Sequence, residues 1–230
     1  MKLKNYIAGQ WIEGSGNEIP LYNAVNGELV AVSDTEGIDF ESALHYGRTV
    51  GYKNLSSMTF YDRGEMLKKV ALYLLERKKK YYDLSYKTGA THADSWVDIE
   101  GGFGTFFTYS GLAKRMLPNT PFWVDGDTQK ISANGTFLGT HILTPSEGVS
   151  VQINAYNFPV WGMMEKLSTS LLAGVPSIVK PATPGSYLTN AVFQDMIESG
   201  ILPEGAIQLV CGEPGNILDY VQDGDSVLFS

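Results

Sequence analysis

The stretch Val149–Lys180, VSVQINAYNFPVWGMMEKLSTSLLAGVPSIVK, decides the fold. It opens on a β-branched run, Val149–Ile153, crosses Asn154–Pro159 and continues as a helical stretch near 160–173. Gly174 comes next, where a left-handed residue ends a helix at little cost. Ser177–Val179, with the preceding Val175, forms a second strand-like run. The pattern then repeats, with a helix near 186–199 closed by Gly200, a strand at Ile207–Val210, a helical stretch near 215–222 and a strand at Val227–Phe229. This alternation predicts an α/β fold built on a doubly wound parallel sheet. In such sheets ligands bind outside the carboxyl ends of the strands. Here those ends are Asn154–Pro159, Lys180–Pro184 and Cys211–Gly215.

Upstream the chain has a different character. Ile19–Tyr22 and Leu29–Val32 flank the turn dipeptide Asn26-Gly27, a hairpin signal. Helical stretches follow near 39–52, 60–86 and 92–115. The second carries Met66, Leu67, Val70, Leu74 and Leu75 at the spacing of one buried face. Its Arg77–Lys80 run sits toward the C-terminal half, where cations complement the helix dipole, and reads as a solvated face. Pro118, Pro121 and Asp125-Gly126-Asp127 break the helical pattern. Asn134-Gly135 then separates Lys130–Ala133 from Thr136–Leu143, predicting a polar hairpin that projects from the body.

Composition narrows the class. At 230 residues with 43% hydrophobic and 18% charged, the chain is globular in composition. A net charge of −8 argues against nucleic acid or an anionic membrane as main partner. No run approaches the ~20 apolar residues of a membrane span, and the first residues lack the apolar core of a secretory signal. One cysteine, Cys211, fits a reducing compartment, so the chain reads as cytoplasmic. His45, His92 and His141 lack ligand spacing, and no metal site is expected.

Several residues at the strand ends admit two readings. Asn157 is either the N-cap of the helix that follows, with Pro159 in its first turn, or a carboxamide aimed into the crevice. Lys180 is either a surface lysine at a sheet end or a cation within reach of a hydroxyl or phosphate. Cys211 ends a buried strand with no basic partner nearby in sequence, which predicts an inert thiol. Gly101-Gly102-Phe103-Gly104 does not follow a strand and predicts close helix packing rather than a phosphate loop. Gly212 and Gly215 either approach a nucleotide or form a simple turn.

Pro145–Val149, Asn157-Phe158-Pro159, Leu172-Ala173-Gly174, Val179–Ala182, Leu202–Gly205 and Asp225–Phe229 resemble, in order, the landmarks of the aldehyde dehydrogenase superfamily. Thr88–Gly102, Thr108-Tyr109 and Ile153–Pro159 are similar to one subfamily, bifunctional ring-opening enzymes of phenylacetate degradation. In these an oxepin-CoA hydrolase is joined to a semialdehyde dehydrogenase. The resemblance implies a Rossmann-like core over 146–230, a β-hairpin oligomerisation arm over 126–145 and an N-terminal helical part of the cofactor-binding domain over 1–125. It implies a homo-oligomer that takes a CoA-linked aldehyde.

The resemblance also assigns roles. Asn157 becomes the oxyanion donor, and Lys166 matches a lysine beside the active site, with a solvent-facing helix charge as its alternative. Ile153, Asn154 and Ala155 line the cofactor through their backbone, Lys180 meets the adenosine ribose, and Ala182, Gly212 and Gly215 complete that wall. Many relatives place a glutamate three residues after the ribose-binding lysine, where this chain has Thr183. A carboxylate there repels a 2′-phosphate and threonine does not, so NADP is favoured, with NAD as the alternative. The nucleophilic cysteine, the hydrolytic glutamate and the glycine-rich turn facing the pyrophosphate are expected beyond position 230. The competing expectation is a nucleotide-binding or scaffold module that has kept the fold without the chemistry.

Overall fold

The computed structural model describes residues 1–230. In chain order, strands β1 (Asn5–Ile7), β2 (Gln10–Ile12), β3 (Ile19–Tyr22) and β4 (Leu29–Ser33) precede helix α1 (Phe40–Tyr46). A π-helical turn, Gly47–Gly51, joins α1 to α2 (Tyr52–Ser56). Helices α3 (Phe60–Leu75), α4 (Lys78–Ser85) and α5 (His92–Trp96) follow, and a second π turn, Val97–Gly101, runs into α6 (Gly102–Met116). Strands β5 (Trp123–Lys130) and β6 (Leu138–Leu143) form the separate hairpin. The last part alternates β7 (Ser150–Ile153), α7 (Trp161–Ala173), β8 (Ser177–Lys180), α8 (Ser186–Glu198), β9 (Ile207–Leu209) and β10 (Ser226–Phe229).

The main sheet has the order β10-β7-β8-β9-β1-β2. Its first four strands are parallel, in a register that sets Ile153 beside both Lys180 and Phe229. The chain steps from β7 outward through β8 and β9, then returns to place β10 on the other side of β7. That reversal is a topological switch point between β7 and β10. Helices cover both faces. On one face α7 and α8, backed by α3 and α6, enclose a core that includes Leu67, Phe103, Phe106, Leu167, Val179, Phe193 and Leu209. On the other, Phe40, Ala43 and Leu44 of α1 pack on Val149, Val151, Ile178 and Val210. The expected doubly wound parallel sheet is what forms.

Four expectations need correction. First, the sheet is extended by two strands that sequence did not reveal: β1 runs antiparallel to β9, and β2 antiparallel to β1. Tyr6 pairs with Leu209 across most of the chain's length, so the partner that makes Asn5–Ile7 a strand is not local. Second, the long helix breaks at Glu76-Arg77, and Lys78–Lys80 open α4 instead of closing α3. Cations are disfavoured at that end. Carboxylates from elsewhere offset this, Glu100 meeting Lys78 at 3.0 Å and Asp195 meeting Lys80 at 2.6 Å. Third, the stretch near 215–222 holds only one 3₁₀ turn, Ile217–Tyr220. Fourth, the β5–β6 hairpin begins at Trp123 and contains Asp125-Gly126-Asp127 at a bulge. It is also only partly polar: beside exposed Asp125, Asp127, Gln129 and Lys130 it exposes Trp123, Val124, Ile131, Phe137, Leu138, Ile142 and Leu143 on its strands or loop.

The start of α7 is capped from outside. Helix N-termini leave N–H groups without partners, and Val160, at the cap position, supplies no side-chain bond. Asp98, in the second π turn, accepts from Val160 N at 3.0 Å and Trp161 N at 2.8 Å. Gly101 and Gly102 bring that segment against the helix, since a Cβ on Gly101 would lie 2.4 Å from the Trp161 ring. The close packing expected of Gly101, Gly102 and Gly104 is therefore present at the first two and absent at Gly104, where a Cβ would meet nothing. Asn157 is not the N-cap, and Pro159 stands before the cap rather than in the first turn. The other end of α7 closes on Gly174 at φ 84°, as expected.

Asp98 is 4% exposed, and burial pushes its carboxyl up to about 6 from an ordinary 3.8, against the lowering effect of its two backbone donors. Between those values the folded chain holds a proton that the unfolded chain releases, so this group's contribution to stability falls as pH rises through the window. Asp98→Asn keeps an acceptor oxygen and cannot ionise. Urea denaturation at pH 4 and pH 7 should show the variant gaining on wild type by about 1–3 kcal/mol at the higher pH. An equal difference at both pH values would contradict this.

Candidate active site

The carboxyl ends of β7, β8, β9 and β10 face one crevice, and the switch point places Asn154–Pro159 at its centre. Asn154 N donates to Lys180 O at 3.0 Å, continuing the β7–β8 ladder one residue past the strand. Ile153 and Ala155 are half-buried. Ser230 joins the same point, its N donating to Ile153 O at 3.2 Å while its Oγ accepts from Ala155 N at 3.3 Å. The backbone expected to line a cofactor is thus fixed on both sides.

Asn157 is exposed and makes no hydrogen bond within the chain. It lines a cleft of about 470 Å³ with Val97, Ala155, Phe158, Trp161, Gly162, Glu165 and Ser230. Its carboxamide is free to donate into that space. Asn154, by contrast, is buried with neither amide atom partnered.

Two lysines flank the end of β7 on opposite sides. Lys180 is 7% exposed, so it is not a surface lysine. Its Nζ donates to Thr183 Oγ1 at 3.4 Å, and Thr183 Oγ1 donates to Gly212 O at 3.2 Å. The structure therefore brings Lys180, Thr183 and Gly212 together, with Ala182 leading into the short 3₁₀ turn Thr183–Gly185. Burial lowers the Lys180 pKa, and Glu213 and Cys211 act in the opposite direction. The cluster holds a cation and a hydroxyl, and no carboxylate bonds to either. Gly215 stands apart: its φ is +52°, and a Cβ there would meet the Phe40 ring at 2.7 Å. It acts as a turn residue packed on α1.

Lys166, on α7, is 9% exposed and so is not a solvent-facing helix charge. Its Nζ donates to Ser230 Oγ at 2.9 Å and to Gly162 O at 3.2 Å. Burial lowers its pKa, while Glu165, 3.8 Å away, works to raise it. Cys211 is fully buried, accepts from Asn190 Nδ2 at 3.4 Å and has its thiol pushed up to about 12 by burial. A thiol so placed is inert at neutral pH. Ser230 and Asp98 were not singled out from sequence, since both are defined by contacts more than 60 residues away in the chain.

A family model described as the aldehyde dehydrogenase family matches residues 11–227. A 3,4-dehydroadipyl-CoA semialdehyde dehydrogenase from Aromatoleum evansii is 39% identical over 231 residues, covering 100% of this chain and 45% of the relative. The structure of 3,6-anhydro-L-galactose dehydrogenase in complex with NAP superposes with a TM-score of 0.82 at 26% identity, over 95% of this chain and 44% of that one. A point mutant of betaine aldehyde dehydrogenase from Staphylococcus aureus, in complex with NAD+, gives 0.79 at 25% identity over 94% and 43%. The chain spans less than half the length of the relatives it matches. With a switch-point crevice formed by the same segments that carry the motifs, and a family match across nearly its whole length, the chain belongs to the aldehyde dehydrogenase family.

Proposed function

We propose that this chain is the N-terminal part of an NADP-dependent semialdehyde dehydrogenase that oxidises a CoA-linked semialdehyde to the acid. The setting we infer is cytoplasmic aromatic (phenylacetate) catabolism, with a fused enoyl-CoA hydratase-like ring-opening domain. The observation that carries the cofactor reading is the buried Lys180–Thr183–Gly212 cluster at the ends of β8 and β9. Support for the substrate class is the 39% identity to a relative named for a CoA semialdehyde. In this reading residues 1–125 and 146–230 form the cofactor-binding domain and 126–145 the arm.

Asn157 donates its amide N–H to the oxygen of the tetrahedral adduct formed when a cysteine outside these 230 residues attacks the aldehyde. A preorganised donor of this kind is worth on the order of 3 kcal/mol in the transition state. Lys166, held by Ser230 and the Gly162 carbonyl, keeps a cation beside the same cleft. The bound dinucleotide supplies the hydride acceptor. Toward its ribose end the chain offers Lys180, whose Nζ has one protein partner and spare N–H groups, and the Thr183 hydroxyl. A buried cation with no bonded carboxylate fits a phosphate better than a bare hydroxyl.

NADP should accordingly be preferred over NAD by the full-length enzyme. Charge-assisted hydrogen bonds contribute roughly 1.5–3 kcal/mol. Thr183→Glu should therefore lower the NADP/NAD ratio of kcat/KM by about tenfold or more, read by steady-state kinetics. An NAD preference in wild type, or an unmoved ratio in the variant, sinks the assignment. The 230-residue chain alone should not turn over a semialdehyde, because its only thiol is buried and protonated. Turnover that survives Cys211→Ala would refute this.

The β5–β6 arm completes the proposal. It carries a row of exposed apolar side chains and two unpaired strand edges, and both are features of a surface that pairs with a second copy. Deleting 128–143 from the full-length protein should lower its mass in light scattering. An unchanged mass would remove the arm from the assembly.

A further inference from the structure

The Asn157 side chain has no hydrogen-bond partner of its own, so the backbone around it must fix where its amide points. That backbone is anchored at few places. Pro159 O accepts from Thr189 Oγ1 at 3.1 Å, and Phe158 O accepts from Gly162 N at 2.8 Å. Three residues past Asn157, Asp98 holds Val160 N and Trp161 N with one carboxylate oxygen. Of these anchors only Asp98 is charged, and it comes from a different helix. The contact is rigid from behind as well. A Cβ on Gly102 would lie 3.0 Å from Trp161 Cα, so the π turn and α6 press backbone to backbone on the first turn of α7.

We propose that Asp98 is a positioning residue for aldehyde oxidation, holding the first turn of α7 so that Asn157 presents its carboxamide to the reacting oxygen. The inference rests on the reading of Asn157 as oxyanion donor. Asp98 lines neither the cleft nor the cofactor wall, and it touches no reacting atom. Its effect passes through the segment Asn157–Gly162, where the other anchors are Phe158 O, bonded to Gly162 N, and Pro159 O, bonded to Thr189 of α8. A carboxylate whose two accepted bonds end the helix also favours the helical dipole's positive end, which tightens the turn. Misplacement of a catalytic group by about 1 Å costs on the order of a hundredfold in rate, so loosening this cap should be read in kcat.

The experiment is a kinetic cycle in the full-length enzyme. Asp98→Ala should lower kcat by about ten- to a hundredfold with KM for aldehyde and cofactor nearly unchanged. Asp98→Asn, which keeps the acceptor oxygen, should restore kcat to within a few-fold of wild type. Asp98→Glu keeps the charge but lengthens the reach by one methylene, and it should show the kcat loss even if the alanine variant does not fold. In an Asn157→Ala background, the Asp98 variants should add little further loss. Folded Asp98→Ala and Asp98→Glu enzymes with wild-type kcat would overturn the proposal, as would an undiminished effect in the Asn157→Ala background. If Asn157→Ala itself leaves kcat unchanged, the oxyanion reading fails and this inference with it. If Asn157→Ala lowers kcat while folded Asp98→Ala and Asp98→Glu enzymes keep the wild-type value, only the positioning role falls.

Discussion

Helix α7 is closed at its N-terminus by a carboxylate from another segment and at its C-terminus by its own left-handed glycine cap, and the crevice depends on that double anchoring. Asp98 closes its N-terminus from another helix, and Gly174 closes its C-terminus in a left-handed conformation. Between those points Met163, Met164, Leu167 and Leu171 are fully buried, with α3 and α6 on one side and the sheet on the other. The helix has no freedom to slide. The loop that enters it, Asn154–Pro159, must therefore leave β7 at a set point and arrive at a set turn. The Asn157 carboxamide is thus exposed on a backbone that is anchored on both sides.

The electrostatics of the crevice follow from the same frame. Lys166 approaches from α7 and Lys180 from the end of β8, and both are nearly buried. Burying an ammonium costs free energy unless it is paired, and here the carboxylates nearest to them, Glu165 and Glu213, are exposed. The fold thus keeps two nearly buried ammonium groups around the end of β7, whose nearest carboxylates lie toward solvent. Such an arrangement is poor for stability and well suited to an anionic ligand. The interior polar seam behind it, where Gln152 Nε2 meets the hydroxyls of Ser150, Ser170 and Ser177, joins β7, β8 and α7 in one network.

Much of this was legible in sequence because the signals were local. The β7–α7–β8 unit shows in one stretch of β-branched residues, a helical run and a closing glycine. Lys180, Thr183 and Gly212 came from two strand ends that the alternating pattern identifies. What sequence hid was defined by distance. The strand Asn5–Ile7 exists because Tyr6 pairs with Leu209, and Asn5 completes it by accepting from Cys211 N at 2.7 Å. Asp98 reads as one more acidic residue on a helix until folding sets it against Val160. The arm's turn was readable at Asn134-Gly135 and so was its projection, but the row of apolar side chains it exposes was not expected of a polar hairpin. The lysine run misled for a related reason: Glu76-Arg77 ends a helix without a proline or glycine to announce it.

The proposed site puts the ribose-phosphate end of the cofactor at the ends of β8 and β9, ahead of the Asn157 carboxamide. A crystal structure of the full-length enzyme with NADP tests it most directly. The 2′-phosphate is expected within hydrogen-bond distance of Lys180 Nζ and Thr183 Oγ1, with Asn157 facing the nicotinamide end of the crevice. A 2′-phosphate bound away from Lys180, with its Nζ still directed only at Thr183, would contradict it.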